Sequence, residues 1–247
     1  MNILIQKAKV IDPKGKHHNK IRDILITNGR IAKIATKINT PKHTVYSAKN
    51  LHVSLGWFDL HANFRDPGFE YKEDINSGCK AAAKGGFTGV LLMPQNNPIT
   101  DNHAQVEYIL NKAKNNIIEV YAAGSITKDM QGKEMVEMYD MKNAGAAAFT
   151  DDKKALQHNE VMKHALLYAK DFDGLIMSFA IDTSIANKGQ IHEGEISTAL
   201  GLKGIPSIAE ELMVDRDISL CKYTASKLHL SYVSTKNSIR KIREAKK

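Results

Sequence analysis

The chain has 247 residues, enough for one large α/β domain or for a domain with a small appendage. A hydrophobic content of 43% and a charged content of 25% are ordinary globular values, and no apolar run is long enough to span a membrane. The net charge of +8 suggests a nucleic-acid partner, but the 35 lysines and arginines are spread along the chain and interleaved with acids. The dense basic stretch RKIREAKK is better explained as a solvated helix end. We therefore expect neither nucleic acid nor a membrane as a partner.

The two cysteines, Cys79 and Cys221, are far apart in sequence and have no ligand-like spacing. They indicate neither a disulfide framework nor a thiolate metal site. The N-terminal stretch MNILIQKAKVID lacks the charged segment and long apolar core of a secretion signal. These features predict reduced cysteines in a cytoplasmic protein.

Short strands separated by turns are predicted over residues 1–55. The first stretch, NILIQKAKVID, ends before Pro13 and Gly15. The next, IRDILITNGRIAKIA, alternates apolar and polar positions around Asn28-Gly29, which is a strong hairpin signal. Because no helical segment separates the strands, this part predicts a small β-sandwich-like domain.

Apolar strand-like runs alternate with helix-like segments six times over residues 56–247. The first pair is WFDLHA followed by INSGCKAAAKGG, and the last is KLHLSYVS followed by KNSIRKIREAKK. Such alternation predicts parallel strands joined by crossover helices, in a doubly wound sheet or a barrel. Polar residues cluster where the strands end, which is the active-site face of a (β/α) barrel. A closed barrel has eight βα units, so we predict an α/β fold with an incomplete (β/α) barrel.

The stretch FDLHANFRDPGFEYKED is typical of a strand that ends in a metal ligand. Its apolar run stops at His61 and leads into a loop with an arginine, an aspartate, a proline and a glycine. A companion ligand would stand two residues later, on the same side of the strand, but that position is Asn63. The stretch therefore has the frame of a metal site with one ligand replaced.

Several ordered blocks resemble the type I dihydroorotases of the amidohydrolase superfamily. The blocks are GWFDLHANFRDPGFEYKEDINSGCKAAAKGGFTGVLLMPQNNP, AAFTDD, GEISTALGLKGIPSIAEELMVDRDISL and LHLSYVST, and together they cover nearly the whole chain. The resemblance implies a TIM-barrel amidohydrolase fold with an N-terminal β domain. It also implies zinc-assisted hydrolysis of a cyclic amide, the interconversion of dihydroorotate and carbamoyl aspartate in pyrimidine biosynthesis.

A comparison of single positions with the family indicates that the metal site is only partly retained in this sequence. It implies that His61 and Asp151, with Asp152 beside it, are remnant ligands. It places Asn63, Ser178 and Tyr232 at positions where the family has histidine ligands, and a further aspartate of the family lies beyond this chain. Amide, hydroxyl and phenol groups replace imidazoles poorly. We therefore expect zinc to be absent or weakly bound, and we assign no catalytic residue.

Substrate-binding positions are better retained. The resemblance implies that Arg65 binds a carboxylate and that Gln95 and Asn97 belong to a binding loop, with Gln95 one methylene longer than the family's asparagine. The alternative for Arg65 is a surface ion pair with Asp66 or Glu70. A small-molecule carboxylate is the ligand that this set would bind.

Three hypotheses follow. The first is a dihydroorotase relative without metal-dependent catalysis, which acts as a binding or assembly partner of aspartate carbamoyltransferase or of an active dihydroorotase in an oligomer. The second is an active cyclic amidohydrolase whose site is altered or is completed by another chain, with His192 as the candidate replacement ligand within this chain. The third is a fragment of a longer protein, since six units leave two strand edges unpaired.

Overall fold

A computed structural model describes residues 2–40 and 43–247 of the chain. The described residues form two compact units, Met1–Trp57 and Phe58–Lys247. No helix in the described ranges is long and apolar enough to cross a membrane.

The N-terminal unit is built on one sheet. Its strands are β1 (Asn2–Ile11), β2 (Ile21–Thr27), β3 (Arg30–Ala35), β4 (Thr44–Tyr46) and β5 (His52–Ser54). The order is β3-β2-β1-β4, and β5 also pairs with β1. Strands β1, β2 and β3 are antiparallel neighbours, whereas β4 and β5 run parallel to β1. The second sheet that a sandwich requires is not present among the described strands.

The predicted hairpin lies between β2 and β3. Thr27 pairs with Arg30, so the turn contains only Asn28 and Gly29. Both turn residues have left-handed φ values, 51° and 75°. These are the angles of the two-residue turn that matches the twist of antiparallel strands, and asparagine and glycine adopt them at low cost.

The second unit alternates strands with helices. Its strands are β6 (Trp57–Ala62), β7 (Phe87–Leu92), β8 (Glu119–Gly124), β9 (Ala148–Phe149), β10 (Leu175–Phe179), β11 (Ile191–His192), β12 (Gly204–Ile205) and β13 (Lys227–Ser231). Its helices are α1 (Ile75–Lys84), α2 (His103–Ala113), α3 (Met138–Asn143), α4 (Asn159–Asp171), α5 (Thr183–Ala186), α6 (Glu195–Ala199), α7 (Ser207–Thr224) and α8 (Lys236–Ala245). A short 3₁₀ turn spans Lys128–Met130.

Six of these strands form one sheet in the order β13-β10-β9-β8-β7-β6. The pairs β7–β8, β8–β9, β9–β10 and β10–β13 are parallel, as crossover helices require. The prediction of an incomplete (β/α) barrel with six units is therefore confirmed. Strands β11 and β12 form a separate two-stranded ribbon between β10 and α7.

The two faces of the sheet carry different clusters of apolar side chains. Ile176 of β10 packs in the larger cluster, with Ala165 and Leu166 of α4. Met177, the next residue, packs with Leu91 in a smaller cluster drawn from the strands and their ends. We call this second face the inner face. Because neighbouring residues of a strand point to opposite sides, this alternation decides which side chains reach a site at the strand ends.

Candidate functional site

His61, near the end of β6, is the centre of a cluster of polar side chains. Its backbone N–H donates to Oδ1 of Asp59 at 2.9 Å, which helps to fix the strand end. Its Nε2 lies 3.1 Å from Oδ1 of Asp152, whose side chain is almost fully buried. The imidazole is therefore paired with a carboxylate from the loop after β9.

Tyr232 follows the end of β13 and lies against His61. Its hydroxyl is 2.9 Å from Nδ1 of His61, also contacts Nε2, and is 3.4 Å from Oδ1 of Asp152. The two rings meet edge to face, with centroids 4.8 Å apart. Burial, followed by the nearby charge of Asp152, raises the pKa of Tyr232, so the phenol is neutral at physiological pH.

Other side chains complete the surroundings of the imidazole. The amide nitrogen of Asn63 lies 3.3 Å from Nε2 of His61. Phe179, at the end of β10, meets the ring of Tyr232 edge to face at 5.4 Å. The ammonium group of Lys153 lies 5.5 Å from the centroid of the same ring. The imidazole is thus surrounded by an amide, a phenol and one carboxylate.

The conformation of Tyr232 is held from α7. Its φ of 57° is uncommon for a bulky residue and persists only where neighbouring contacts fix it. Two residues later, Ser234 donates from its backbone N at 3.0 Å and from its hydroxyl at 2.6 Å to Oε2 of Glu210. The backbone N of Thr235 donates to Oε1 at 3.0 Å. Burial raises the pKa of Glu210, but these hydrogen bonds outweigh it and leave the pKa below its ordinary value.

Asp151, expected as a remnant ligand, does not contact His61. Its Oδ1 accepts from the backbone N of Ile126 at 2.8 Å and of Thr127 at 3.0 Å, and its Oδ2 accepts from the Thr127 hydroxyl. Burial raises the pKa of Asp151, and these hydrogen bonds oppose the shift. The expectation is corrected, because Asp151 ties down the loop after β8 and Asp152 is the carboxylate beside His61.

Ser178 is also not at the site. Its hydroxyl donates to Oδ2 of Asp217 on α7 at 2.6 Å, so it points to the helix-covered face. The expectation that Ser178 occupies a ligand position was one residue out of register, and a shift of one residue exchanges the two faces of a strand. Phe179 is the residue that points toward Tyr232.

The expected substrate-binding residues are only partly brought together. Nη1 of Arg65 donates to the backbone oxygen of Gln95 at 3.2 Å and to its Oε1 at 3.1 Å. Asn97 is exposed, and its backbone N donates to the oxygen of Pro67 at 3.1 Å. No ion pair of Arg65 with a described carboxylate is formed, and the neighbouring Asp66 instead pairs with Lys112 at 2.8 Å. The surface ion pair with Asp66 or Glu70 is therefore not observed.

His192 does not complete the cluster around His61. It lines the same cavity as Phe179 and Tyr232, but its described side-chain contact is with the Ser207 hydroxyl, 3.5 Å from Nε2. Within residues 2–40 and 43–247, no three His, Cys, Asp or Glu side chains are grouped so that they could hold a metal ion.

The cluster does not fit a catalytic zinc ion. Such an ion usually has three protein ligands from Cys, His, Asp or Glu and an open fourth position. Among the described side chains that meet at the imidazole, only His61 and Asp152 are of these four types. The amide of Asn63 and the phenol of Tyr232 occupy the space beside the imidazole. Oδ2 of Asp152 is buried without a described hydrogen-bond partner, so the pair still has one acceptor available.

Sequence reasoning missed three contributors to this cluster: Asp152 as the contacting carboxylate, Phe179, and Glu210 as the anchor of the loop after β13. The strand register would have identified Phe179, since Ile176 and Ser178 share one face. The choice between two adjacent aspartates in a loop had no comparable signal.

Comparisons with known proteins agree with this architecture. Residues 52–238 match the family model described as dihydro-orotase-like. A dihydroorotase of Syntrophotalea carbinolica is 44% identical over 247 residues, and one of Acetivibrio thermocellus is 45% identical over 246. These matches cover 100% and 99% of this chain but 58% of each relative, so the chain spans little more than half of their length.

Solved structures show the same fold at low sequence identity. An L-hydantoinase (dihydropyrimidinase) from Arthrobacter aurescens superposes with a TM-score of 0.79 at 17% identity, covering 99% of this chain and 55% of that one. A D-hydantoinase gives a TM-score of 0.74 at 22% identity, with 100% and 55% covered. At these identities the likeness concerns the fold alone.

Proposed function

The chain belongs to the dihydroorotase-like family, and from this premise we propose that it keeps the family fold without metal-dependent hydrolysis. It acts instead as a binding or assembly partner in pyrimidine biosynthesis. Family membership supplies the link to cyclic amide hydrolysis and to dihydroorotate. The side chains around His61 support the loss of catalysis.

The contact between Tyr232 and His61 carries the proposal. A histidine that binds zinc must present a free ring nitrogen to the metal, and its other nitrogen usually donates to an orienting acceptor. In this cluster the phenol hydroxyl lies against both ring nitrogens. Tyr232 must lose its phenol proton to ligate a metal, and burial together with the charge of Asp152 raises its pKa and opposes that loss.

Zinc, where it is bound in this family, supplies an activated water for attack on the ring carbonyl. The described residues offer one imidazole and one carboxylate for it at this place. These two side chains are fewer than the three protein ligands that a catalytic zinc ion usually has, so the proposed function does not depend on a bound metal. His61 and Asp152 instead stabilise the fold, because their hydrogen bond connects the end of β6 to the loop after β9.

Arg65 supports a role in binding small carboxylates. Its Nη1 is held by Gln95, and no described acid neutralises its charge. A half-buried, positioned guanidinium binds a carboxylate through charge-assisted hydrogen bonds. We propose that Arg65 and Gln95 form such a subsite, with Asn97 on the adjoining loop.

The partners that we propose are aspartate carbamoyltransferase and an active dihydroorotase, in a cytoplasmic oligomer. Purified full chain is mixed with each enzyme, and the molar mass of the mixture is measured by light scattering after size exclusion. Co-elution with a defined stoichiometry supports the proposal. A chain that remains a monomer with both enzymes contradicts it.

An active cyclic amidohydrolase is the second candidate. The unpaired Oδ2 of Asp152 favours it, because that buried oxygen can accept a proton or a ligand donor. Zinc content and dihydroorotate ring-opening are measured together on one preparation. Less than one zinc per chain without turnover supports the first proposal, and stoichiometric zinc with turnover supports the second.

A further inference from the structure

The two units of the chain carry very different charges. The unit Met1–Trp57 contains nine lysines, two arginines, two aspartates and no glutamate, a formal charge of +9. Since the whole chain carries +8, the unit Phe58–Lys247 carries −1. The expectation that basic residues are interleaved with acids throughout does not hold for the N-terminal unit.

The two acids of this unit do little to neutralise it. Asp23 is buried, and its carboxylate oxygens accept from the backbone N of Lys7 and of Ile38, each at 2.9 Å. Over residues 2–40 and 43–57, no lysine or arginine lies within ion-pair distance of a carboxylate. The described cations of this unit are therefore uncompensated.

Three exposed lysines lie on one loop, and further exposed cations are distributed around the sheet. Lys14, Lys16 and Lys20 are exposed on the loop between β1 and β2. The pKa of His17 is lowered, first by partial burial and then by the charges of Lys16, Arg22 and Lys20. The remaining exposed cations lie on β1, on the β2–β3 hairpin and its continuation, and before β5: Lys7, Arg30, Lys33, Lys37 and Lys49.

Exposed apolar side chains lie beside the basic loop. Ser54 of β5 pairs with Ile11 of β1, so residues 55–57 leave the sheet at the end where the loop begins. Leu55 is 69% exposed and Trp57 is 58% exposed. A basic loop and a largely exposed indole in the same unit match the two requirements of single-stranded nucleic-acid binding, which are charge along the backbone and an aromatic surface for a base.

We propose that the N-terminal unit binds single-stranded nucleic acid without sequence preference, through the loop between β1 and β2 and the adjacent indole of Trp57. Cations spread around several edges of a small sheet fit a flexible polyanion that follows the surface. A flat anionic membrane contacts one side of such a sheet and leaves the other cations unpaired. Lysine predominates over arginine, which suits point-charge contacts to phosphates more than base recognition.

The test measures fluorescence anisotropy of a labelled oligouridylate with the full chain at several salt concentrations. The matched variants are Lys14→Gln/Lys16→Gln/Lys20→Gln and Lys80→Gln/Lys84→Gln/Lys203→Gln, which each remove three exposed lysines. Each phosphate contact contributes roughly 0.7 to the slope of log affinity against log salt. The first variant should therefore lower the slope by about 2, and the second should leave it unchanged.

Base stacking is tested separately with Trp57→Ala, whose expected effect is at least roughly tenfold weaker binding at constant salt slope, because stacking and charge contribute independently. Circular dichroism establishes that each variant is folded. Equal loss of affinity in both lysine variants overturns the proposal. So does binding to phosphatidylserine vesicles or polyglutamate that is as tight as binding to the oligonucleotide.

Discussion

The hydroxyl of Tyr232 lies 2.9 Å from Nδ1 of His61, although the two residues are 171 positions apart in the chain. This contact joins the end of β6 to the end of β13, the two edge strands of the six-stranded sheet. The contact therefore links the two edge strands of the incomplete barrel.

Removing the hydroxyl tests how much this contact stabilises the fold. Tyr232→Phe should lower the free energy of unfolding by about 1 kcal/mol, at the low end for a hydrogen bond near a charged group because the side chain is 42% exposed. Urea denaturation measures the change. Tyr223→Phe, at a position 77% exposed and with no described hydrogen bond, is the control, and equal losses would contradict the prediction.

Restoring imidazoles tests the explanation for weak metal binding. Asn63→His/Phe179→His/Tyr232→His should bind zinc at least roughly tenfold more tightly than the natural chain, because it adds nitrogen donors around His61 and Asp152. Competition with a chromogenic chelator measures the affinity.

The register of β10 supplies a sharp control for that experiment. In a second variant, Ser178→His replaces Phe179→His while the other two changes are kept. Ser178 faces Asp217 on α7, so this variant should bind zinc more weakly than the first. Equal zinc affinities of the two variants would contradict the assignment of Ser178 and Phe179 to opposite faces of β10.

Arg216 and Asp217, neighbours on α7, form a buried ion pair, and Asp217 links the helix to β10 by accepting a hydrogen bond from Ser178. Nη2 of Arg216 lies 2.7 Å from Oδ1 of Asp217, which is fully buried and also accepts from Ser178. Arg216→Leu should destabilise the chain by about 3–5 kcal/mol, because it leaves a buried carboxylate without its counter-charge. Thermal and urea denaturation measure the loss.

An exposed ion pair provides the comparison for Arg216. Lys227→Leu removes the partner of Asp173, and both of those side chains are mostly exposed. Its effect should be much smaller, because solvent screens exposed pairs. A loss as large as that of Arg216→Leu would contradict the assignment.

The acid limb of stability should depend on Glu210. Its pKa lies below the ordinary value of 4.5, despite burial, because Ser234 and Thr235 donate to the ionised form. A carboxyl group with a depressed folded-state pKa stabilises the fold fully above its unfolded-state pKa, and this contribution is lost as the pH falls through the folded-state pKa. The loss from this group therefore begins near pH 4.5 and continues below it.

Glu210→Gln should reduce stability at pH 6 and flatten the decline below pH 4.5. Urea denaturation between pH 6 and pH 3 measures both effects. Glu211→Gln serves as the control, since Glu211 accepts one described hydrogen bond, from Asn237. An unchanged acid limb in Glu210→Gln would contradict the role given to this side chain.

The architecture was predictable because its signals extend over many residues. Six repeats of strand and helix patterns indicate parallel strands whatever the error at any one boundary. The hairpin at Asn28-Gly29 was predictable because the turn itself requires residues that accept left-handed φ.

The side chains at the cluster were less predictable because each depends on a single register. Ser178 and Phe179 are neighbours on β10, and an offset of one residue selects the wrong face. Asp151 and Asp152 are also neighbours, and an offset of one residue exchanges the carboxylate that anchors the loop after β8 for the one that contacts His61. Tyr232 adds a further difficulty, since its left-handed φ falls just beyond the strand and strand alternation does not reach it.

The uneven distribution of charge between the two units has a practical consequence for chromatography. At the isoelectric point of about 9.3 the molecule carries no net charge, yet most lysines remain protonated because their ordinary pKa is about 10.4. The unit Met1–Trp57 is then still strongly positive. The protein should be retained by a cation exchanger at its own isoelectric point, where a uniformly charged protein of equal composition would pass through.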